Sequence, residues 1–457
     1  MDPLPLTLPF RRVGILGFAR SGEAAATFLA AAGAQVVVFD DLPEKREAAR
    51  AAGFTVAEEA DAAARLDLLL ASPGVPAGGV RVHPVIAAAR GAGVPVTVDV
   101  QLWRDLDPVR PLVGVTGTNG KSTTTALIAH LLQAAGRPAA AVGNIGTPVF
   151  AARLPPGAVA VAELSSFQLE LCRGLHPQVA VWTNFAPDHL DRHGSEEAYF
   201  EAKLRLFADA GPHTRAVIGV DDPHSAGLAA LLRRRGLRVV RVSVTGAPAD
   251  VRVVEGVLHL PQGPAGGIDL RHLRSLRGAH NHQNAALAAA AAVGLGVDPD
   301  TLAAALPTFP GLPHRMREIA RIGRVIFVDD SKATNPDSAA RSLACFEHVH
   351  WIAGGRPKPG GFGTLRAFAP RIRTLYAIGE AAPELAETFR DLVPVRMCGT
   401  LDVAVREAAA AAAADPVPDP VVLLAPACAS FDQFTDYAHR GRVFVALVAA
   451  LGTEVVS

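Results

Sequence analysis

What most restricts the fold of this 457-residue chain is a recurring unit: a short β-branched run, a glycine or polar turn, then an alanine-rich helical stretch. The spacing predicts strands at 12–16, 36–40, 68–71, 112–116, 159–163, 179–183, 325–329, 349–353, 375–378 and 421–424. It predicts helices at 22–32, 122–135, 196–208, 281–293, 336–345, 403–413 and 434–451. Strands alternating with helices of this length build βαβ units, whose parallel sheets are covered on both faces. An α/β fold follows. At roughly 100–200 residues per domain the chain should contain two to four of them. Pro108 and Pro111 mark one joint at 105–111, and Pro307, Pro310, Gly311 and Pro313 mark another at 306–313, because such residues break element interiors. The expected domains are therefore 1–107, 108–311 and 312–457, with 237–277 as a small antiparallel insert in the middle one.

Composition narrows the class. Half the residues are apolar and 19% are charged, so the chain can bury large cores. The 44 basic residues balance the 44 acidic ones, which speaks against a general nucleic-acid or anionic-membrane binder. Cys172, Cys345, Cys398 and Cys428 are scattered and read as reduced thiols. Residues 1–10 lack the basic and apolar segments of a secretory signal. The alanine-rich stretch 285–297 is well short of the roughly 20 residues that span a bilayer. A cytoplasmic protein with no membrane insertion is expected.

The sharpest local signal is Gly117-Thr-Asn-Gly-Lys-Ser-Thr123, placed between a strand and a helix. Gly117 and Gly120 let backbone N–H groups turn inward around phosphate oxygens, and the helix start adds partial positive charge. Lys121 would neutralise the terminal phosphates of a nucleotide and Ser122 would hold Mg2+. The loop is a shortened form, since Val115 stands where the longer pattern has its first glycine. Alone it fits ATPases, GTPases, kinases and ligases equally.

Two further strand ends carry polar clusters, Glu163-Leu-Ser-Ser-Phe-Gln-Leu-Glu170 and Asp188-His-Leu-Asp-Arg-His193. In a parallel sheet they should share an edge with the phosphate loop. Glu163 near Ser122 could complete a magnesium site. His189 and His193, four apart, would share a helix face like half a zinc site, but no third ligand follows at a sensible spacing. Lys203, on the helix 196–208, reads by itself as a surface lysine.

Taken in order, these three segments and Ala202-Lys-Leu-Arg205 resemble the Mur ligases, and within them those that add D-glutamate. The resemblance runs over nearly the whole chain, although the phosphate loop and the Asp-His-Leu-Asp stretch are shared with sibling ligases and folylpolyglutamate synthases. It implies three domains: a Rossmann-like N-terminal domain, a central P-loop-type ATPase domain with a mostly parallel sheet, and a Rossmann-like C-terminal domain. It further implies ATP bound by Gly117, Thr118, Asn119, Gly120, Lys121, Ser122 and Thr123, with Asn281, Asn284, His314 and Arg315 at adenine and ribose. Two magnesium ions would be held by Ser122, Glu163, His189 and Lys203, the last as a carbamate made with carbon dioxide. A free Lys203 would repel a metal, whereas its carbamate is an anion.

In the third domain the resemblance rests on His314-Arg315, Asp329-Asp-Ser-Lys-Ala-Thr-Asn-Pro336, Gly354-Gly-Arg-Pro-Lys358 and Pro426-Ala-Cys-Ala-Ser-Phe431. It implies that Asp330 and Lys332 assist at the phosphate end, while Lys358, Thr334, Ser430, the backbone near Phe431, and Tyr437 receive D-glutamate. A dianionic amino acid needs such a cation and such donors. Siblings that add diaminopimelate or lysine carry Asp-Asn-Pro-Arg, which is absent here. Ala425 departs from the serine expected before Pro426.

Read cold, Gly14-Ile-Leu-Gly17-Phe-Ala-Arg-Ser-Gly22 with Asp40-Asp41 is a degenerate dinucleotide-binding turn, and an NAD enzyme would suit that domain in isolation. The resemblance instead assigns Gly17, Ala19, Arg20, Asp40 and Asp41 to the UDP end of the substrate UDP-N-acetylmuramoyl-L-alanine, and Ser72, Gly74 and Asn144 to its muramoyl part. The implied protein is a monomeric ATP-dependent amide ligase working through an acyl phosphate, with Lys121, His189, Lys203, Asp330 and Lys332 at the chemistry and the third domain swinging about 306–313. A sibling ligase using L-glutamate or another amino acid, and a nucleotide-binding regulatory protein without turnover, are the alternatives.

Overall fold

The computed structural model describes residues 8–454. Residues 1–7 and 455–457 lie outside it, and most of the segment 1–10 read for a leader falls there. The chain divides into two compact units, residues 1–269 with 283–307, and residues 270–282 with 308–457.

The first unit holds two large sheets. One has five parallel strands in the order Thr55–Val56, Gln35–Phe39, Arg12–Leu16, Leu68–Ala71, Val96–Thr97. Its strand order reverses on either side of Arg12–Leu16, and a crevice opens outside the carboxyl ends of strands at such a point. The other sheet has nine strands, with Leu112–Thr116 flanked by Val159–Glu163 and Val179–Trp182. That is again a reversal point, and the phosphate loop leaves from it.

The helix Lys121–Ala134 covers this sheet through Leu127, Ile128, Leu131 and Leu132, all fully buried. Each such side chain contributes about 1.5–3 kcal/mol, so the loop that opens the helix rests on a firm base.

The expected antiparallel insert needs correction. Arg238–Ser243 runs parallel to Arg215–Gly219 and Val251–Val254 parallel to it, so both extend the central sheet. Only Val251–Val254, Val257–His259 and Ile268–Asp269 pair antiparallel. The cause is local: the Asp221 carboxylate, just past one strand, accepts from Ser243 Oγ (2.6 Å) and Val244 N (3.0 Å) at the end of the next. Both strands must then finish at one edge.

Several helices were not read from sequence, among them Pro43–Ala51, Pro84–Gly91, Pro223–Arg234 and Pro299–Ala305. All four open on a proline, which punctuates a sequence yet fits a first helical turn.

The second unit is built on a six-stranded sheet in the order Arg317–Ile322, Val325–Asp329, Val421–Leu424, Val349–Gly354, Ile372–Ile378, Val395–Gly399. Only its first pair is antiparallel. Trp351, Leu375 and Leu423 fill one face while Ile352, Tyr376 and Leu424 fill the other. This alternation is the period of two that a sheet covered on both sides requires. Among the described residues no helix is long and apolar enough to cross a membrane, and all four cysteines are free.

Candidate functional site

The phosphate loop is shaped by its glycines. Gly117 sits at φ +140°, and a Cβ there would lie 2.0 Å from Thr183 Oγ1. Gly120 sits at φ +82°, and its Cβ would lie 2.1 Å from Asn284 Oδ1. Thr183 and Asn184, at the end of the neighbouring strand, lace the loop down: Thr118 N donates to Asn184 O (2.9 Å), Asn119 N to Asn184 Oδ1 (2.9 Å), and Thr183 Oγ1 to Asn119 O (2.6 Å). Thr118 Oγ1 donates to Ala186 O (3.1 Å). Ser122 and Thr123 open the helix behind the loop.

Two lysines converge on this loop. Lys121 Nζ donates to Gly117 O (3.0 Å) and Thr118 O (2.8 Å), and Lys203 Nζ donates to the same Gly117 O (2.7 Å). Lys203 is no surface lysine: it is 1% exposed, with Nζ 4.5 Å from the centre of the Tyr199 ring. Burial, reinforced by the Lys121 charge, holds its amine well below the usual lysine range. The helix Glu196–Leu204 turns this residue inward together with Tyr199 and Ala202, which one-dimensional polarity hides.

Glu163 closes the same edge. Asn144 Nδ2 donates to its Oε1 (2.8 Å), whereas its Oε2 is buried with no hydrogen-bond partner. An orphaned buried carboxylate oxygen is costly, and the edge of a nucleotide loop is where a cation would satisfy it. His189 stands at φ +53° with its ring edge-on to Phe167, and burial lowers its pKa, favouring the neutral imidazole that can ligate. The Ser122 hydroxyl and the Glu163 carboxylate, completed by phosphate oxygens, are donors of the kind Mg2+ prefers. Among the described residues no group of three His, Cys, Asp or Glu side chains is placed to hold a metal by itself.

The rings of His189 and His193 both lie against Phe167 and Tyr199, as a shared face would place them, but His193 has no ring nitrogen left to ligate. His189 caps the short helix Leu190–His193, and His193 points into the core, pairing with Glu170 (3.0 Å) and Ser166 Oγ (3.0 Å).

At the reversal point of the five-stranded sheet lies a pocket of about 590 Å³. It gathers Gly17, Ala19, Arg20, Asp40, Asp41, Ser72, Gly74 and Asn144, which sequence reasoning had placed along one substrate. Several hold the loops in shape: Asp40 Oδ2 accepts from Phe18 N (2.6 Å), and Ser72 Oγ donates to Gly17 O (2.9 Å). Arg20 reaches Gly146 O (2.9 Å), close in sequence to Asn144. The pocket also holds His83, which sequence reasoning missed. Its Nδ1 accepts from Val85 N (3.2 Å), so Nε2 carries the proton it offers to Asp41 (3.1 Å). A histidine capping a helix before Pro84 was the only signal available.

In the second unit the loops leave three neighbouring strands. After Val325–Asp329, the Asp329 carboxylate pairs with His314 Nδ1 (2.6 Å), and Lys332 N donates to His314 O (3.0 Å). Lys332 Nζ lies 3.7 Å over the Tyr437 ring. Asp330 is turned inward, accepting from Met316 N (3.2 Å) and from Ser342 Oγ, and burial raises its pKa to about 6. Ala427 N donates to Ala333 O (2.9 Å), and Arg356 and Ala429 exchange backbone bonds of 2.9 and 3.0 Å. These bonds join the loops bearing Thr334, Lys358 and Ser430. Lys358 and Phe431 are exposed, whereas Ser430 is buried. On the helix Ala279–Gly294, Asn281 Nδ2 donates to Arg277 O (3.0 Å), and Thr124 Oγ1 bonds to Asn284 (3.3 Å). Arg315 lies near enough to Asp330 to act on its charge.

The fold and these sites define a class. The Mur ligase middle domain family matches residues 115–292. The fold is similar to that of the UDP-N-acetylmuramate–alanine ligase of Thermotoga maritima, with a TM-score of 0.63 and 19% identity over 96% of this chain and 99% of that one. It is also similar to a pseudomurein peptide ligase type C from Methanothermus fervidus, with a TM-score of 0.58 and 17% identity over 96% of this chain and all of that one. In sequence the chain is 44% identical to a Rhizobium etli protein named UDP-N-acetylmuramoylalanine–D-glutamate ligase, over 97% of this chain and 96% of that one. It is 45% identical to one of the same name from Ruegeria pomeroyi, over 95% and 96%. The chain belongs to the family of UDP-N-acetylmuramoylalanine–D-glutamate ligases.

Proposed function

We propose that this chain is an ATP-dependent ligase that joins the L-alanine carboxyl of UDP-N-acetylmuramoyl-L-alanine to the amine of D-glutamate, a step in making peptidoglycan precursors. The observation that carries this reading is Asn144, which lines the nucleotide-sugar pocket and also donates to Glu163 beside the phosphate loop. One residue thus connects the place for the acid substrate with the place where a terminal phosphate would lie.

A carboxylate resists amines because its charge repels them and its oxygen leaves poorly. The γ-phosphoryl group therefore passes from ATP to the carboxylate, giving an acyl phosphate and ADP. The amine of D-glutamate then attacks the acyl carbon, and phosphate leaves from the tetrahedral intermediate as the nitrogen loses its proton. Lys121 would move from the loop carbonyls to the transferred phosphoryl oxygens. Bound magnesium would spread the charge developing on those oxygens. Ser122, Glu163, His189 and a carbamylated Lys203 are assigned to two such ions. The depressed basicity of Lys203 supports carbamylation, since only a neutral amine attacks carbon dioxide.

The remaining assignments follow the same reading. Gly117 to Thr123 with Asn281, Asn284, His314 and Arg315 take ATP, and Asp330 and Lys332 act at the phosphate end. Asp330, turned inward, would do so by holding the Arg315–Met316 segment. Gly17, Ala19, Arg20, Asp40, Asp41, Ser72 and Gly74 take the nucleotide sugar, and Thr334, Lys358, Ser430, Phe431 and Tyr437 take D-glutamate. The domains are assigned as 1–107, 108–311 and 312–457, in a cytoplasmic monomer. ADP release with each substrate omitted in turn tests the order of events. It should require ATP and the nucleotide sugar and vanish in Lys121→Ala; release from ATP alone at the full rate would refute it.

A further inference from the structure

Arg440 is fully buried, yet among the described residues no carboxylate forms a salt bridge with it. Its guanidinium faces five uncharged acceptors. Nε donates to Ser331 Oγ (3.0 Å), and Nη2 to Ser331 O (2.9 Å) and Cys428 O (3.1 Å). Nη1 donates to Gly354 O (3.4 Å) and Ala429 O (3.5 Å). These acceptors lie at the end of Val349–Gly354 and in the loops that follow Val325–Asp329 and Val421–Leu424, three strands that are neighbours in the sheet. Burial lowers the guanidinium pKa to about 10, which leaves it charged at neutral pH. An apolar side chain of the same bulk would fill this space without burying a charge, but it would leave the Ser331, Gly354 and Cys428 carbonyls without this donor. Packing therefore does not account for an arginine here.

The peptide plane shows what the charge accomplishes. A carbonyl and the following N–H point in opposite directions. Ala429 O, which accepts from Arg356 N (2.9 Å) as well as from Nη1, points toward the guanidinium, so Ser430 N–H points away from it. Ser430, Phe431 and Asp432 have backbone N–H groups with no protein acceptor among the described residues, although Ser430 is only 2% exposed. Consecutive unpaired N–H groups form an anion-binding concavity.

We propose that Arg440 is a positioning residue that clamps these three strand ends and aims the Ser430–Asp432 N–H groups at a carboxylate of the incoming amino acid. This rests on the reading that Lys358 and Ser430 receive D-glutamate. Arg440 itself touches no substrate; it acts through the carbonyls it holds.

The test uses the full-length enzyme in steady-state ligation, with KM measured separately for ATP, nucleotide sugar and D-glutamate. Arg440→Lys keeps the charge but cannot span five acceptors, and Ser331→Ala removes one of them. Arg440→Lys should raise KM for D-glutamate about tenfold, and Ser331→Ala severalfold, with the other two KM values within about twofold. Lys358→Met should raise the D-glutamate KM as well. If Lys358→Met changes nothing, the placement of the amino acid is wrong and the clamp falls with it. If Lys358→Met acts but folded Arg440→Lys and Ser331→Ala leave the D-glutamate KM unchanged, the clamp alone is wrong. Equal rises in all three KM values, in step with a lowered melting temperature, would make Arg440 merely structural.

Discussion

Replacing Glu163 with glutamine removes one negative charge beside the phosphate loop and leaves the shape of the side chain intact. Oε1 would still accept from Asn144 Nδ2, and Oε2 has no protein partner to lose. The amide that replaces Oε2 leaves a buried donor unpaired, but the carboxylate it replaces was itself desolvated, so folding stability should change by no more than about 1 kcal/mol. The effect on a phosphate-bound cation is larger. At about 4 Å and an effective dielectric of about 20, one pair of unit charges is worth about 4 kcal/mol. Because Glu163 is 3% exposed, solvent relieves little of that. At about 1.4 kcal/mol per decade, kcat/KM should fall about a thousandfold, with the magnesium requirement shifted upward. ADP release titrated with magnesium, beside a thermal melt, reads both quantities. A folded Glu163→Gln enzyme with the parent's rate and magnesium curve would refute the assignment.

Further outcomes follow from single contacts. Gly120→Ala should lose about 1–2 kcal/mol to its φ of +82° and more to the clash with Asn284 Oδ1, whereas Gly33→Ala, with φ +92° and nothing within 4 Å, should lose only the first part; chemical denaturation of both separates the two. Lys203→Met should abolish ligation while leaving the fold intact, and isotopically labelled bicarbonate should give a carbamate signal in the parent that this variant lacks; a labelled variant would contradict the assignment. Asp330 has a carboxyl pKa raised to about 6 by burial, so its protonated form favours the fold and its stabilising effect declines as pH rises from about 4 through 6. Asp330→Asn should therefore gain melting temperature relative to the parent between pH 4.5 and 7, and a pH-independent difference would refute this sign.

The parts of this molecule that were legible in the sequence are those where local chemistry and the fold agree. Leu112–Thr116 followed by Gly117 and Gly120 had to be a strand and a turn, because no other residue suits those φ values or the close approach of Thr183 and Asn284. The pocket residues were legible through the resemblance, and the fold gathers them because loops at the carboxyl ends of parallel strands meet at a reversal point. Burial that depends on distant partners was not legible. Lys203 and Arg440 are polar residues on helices, and nothing along the chain says that Gly117 O or the Ser331 and Cys428 carbonyls will face them. The direction of Arg238–Ser243 was hidden for the same reason, since it depends on Asp221 reaching Ser243.

The most direct test of the central claim is to incubate the purified chain with ATP, magnesium and UDP-N-acetylmuramoyl-L-alanine, supply D- or L-glutamate, and follow the amide product by mass. Ligation with D-glutamate, matched mole for mole by ADP and phosphate and nearly absent with L-glutamate, is the predicted result. Product with L-glutamate at an equal rate, or ADP formed with no amide, would contradict it.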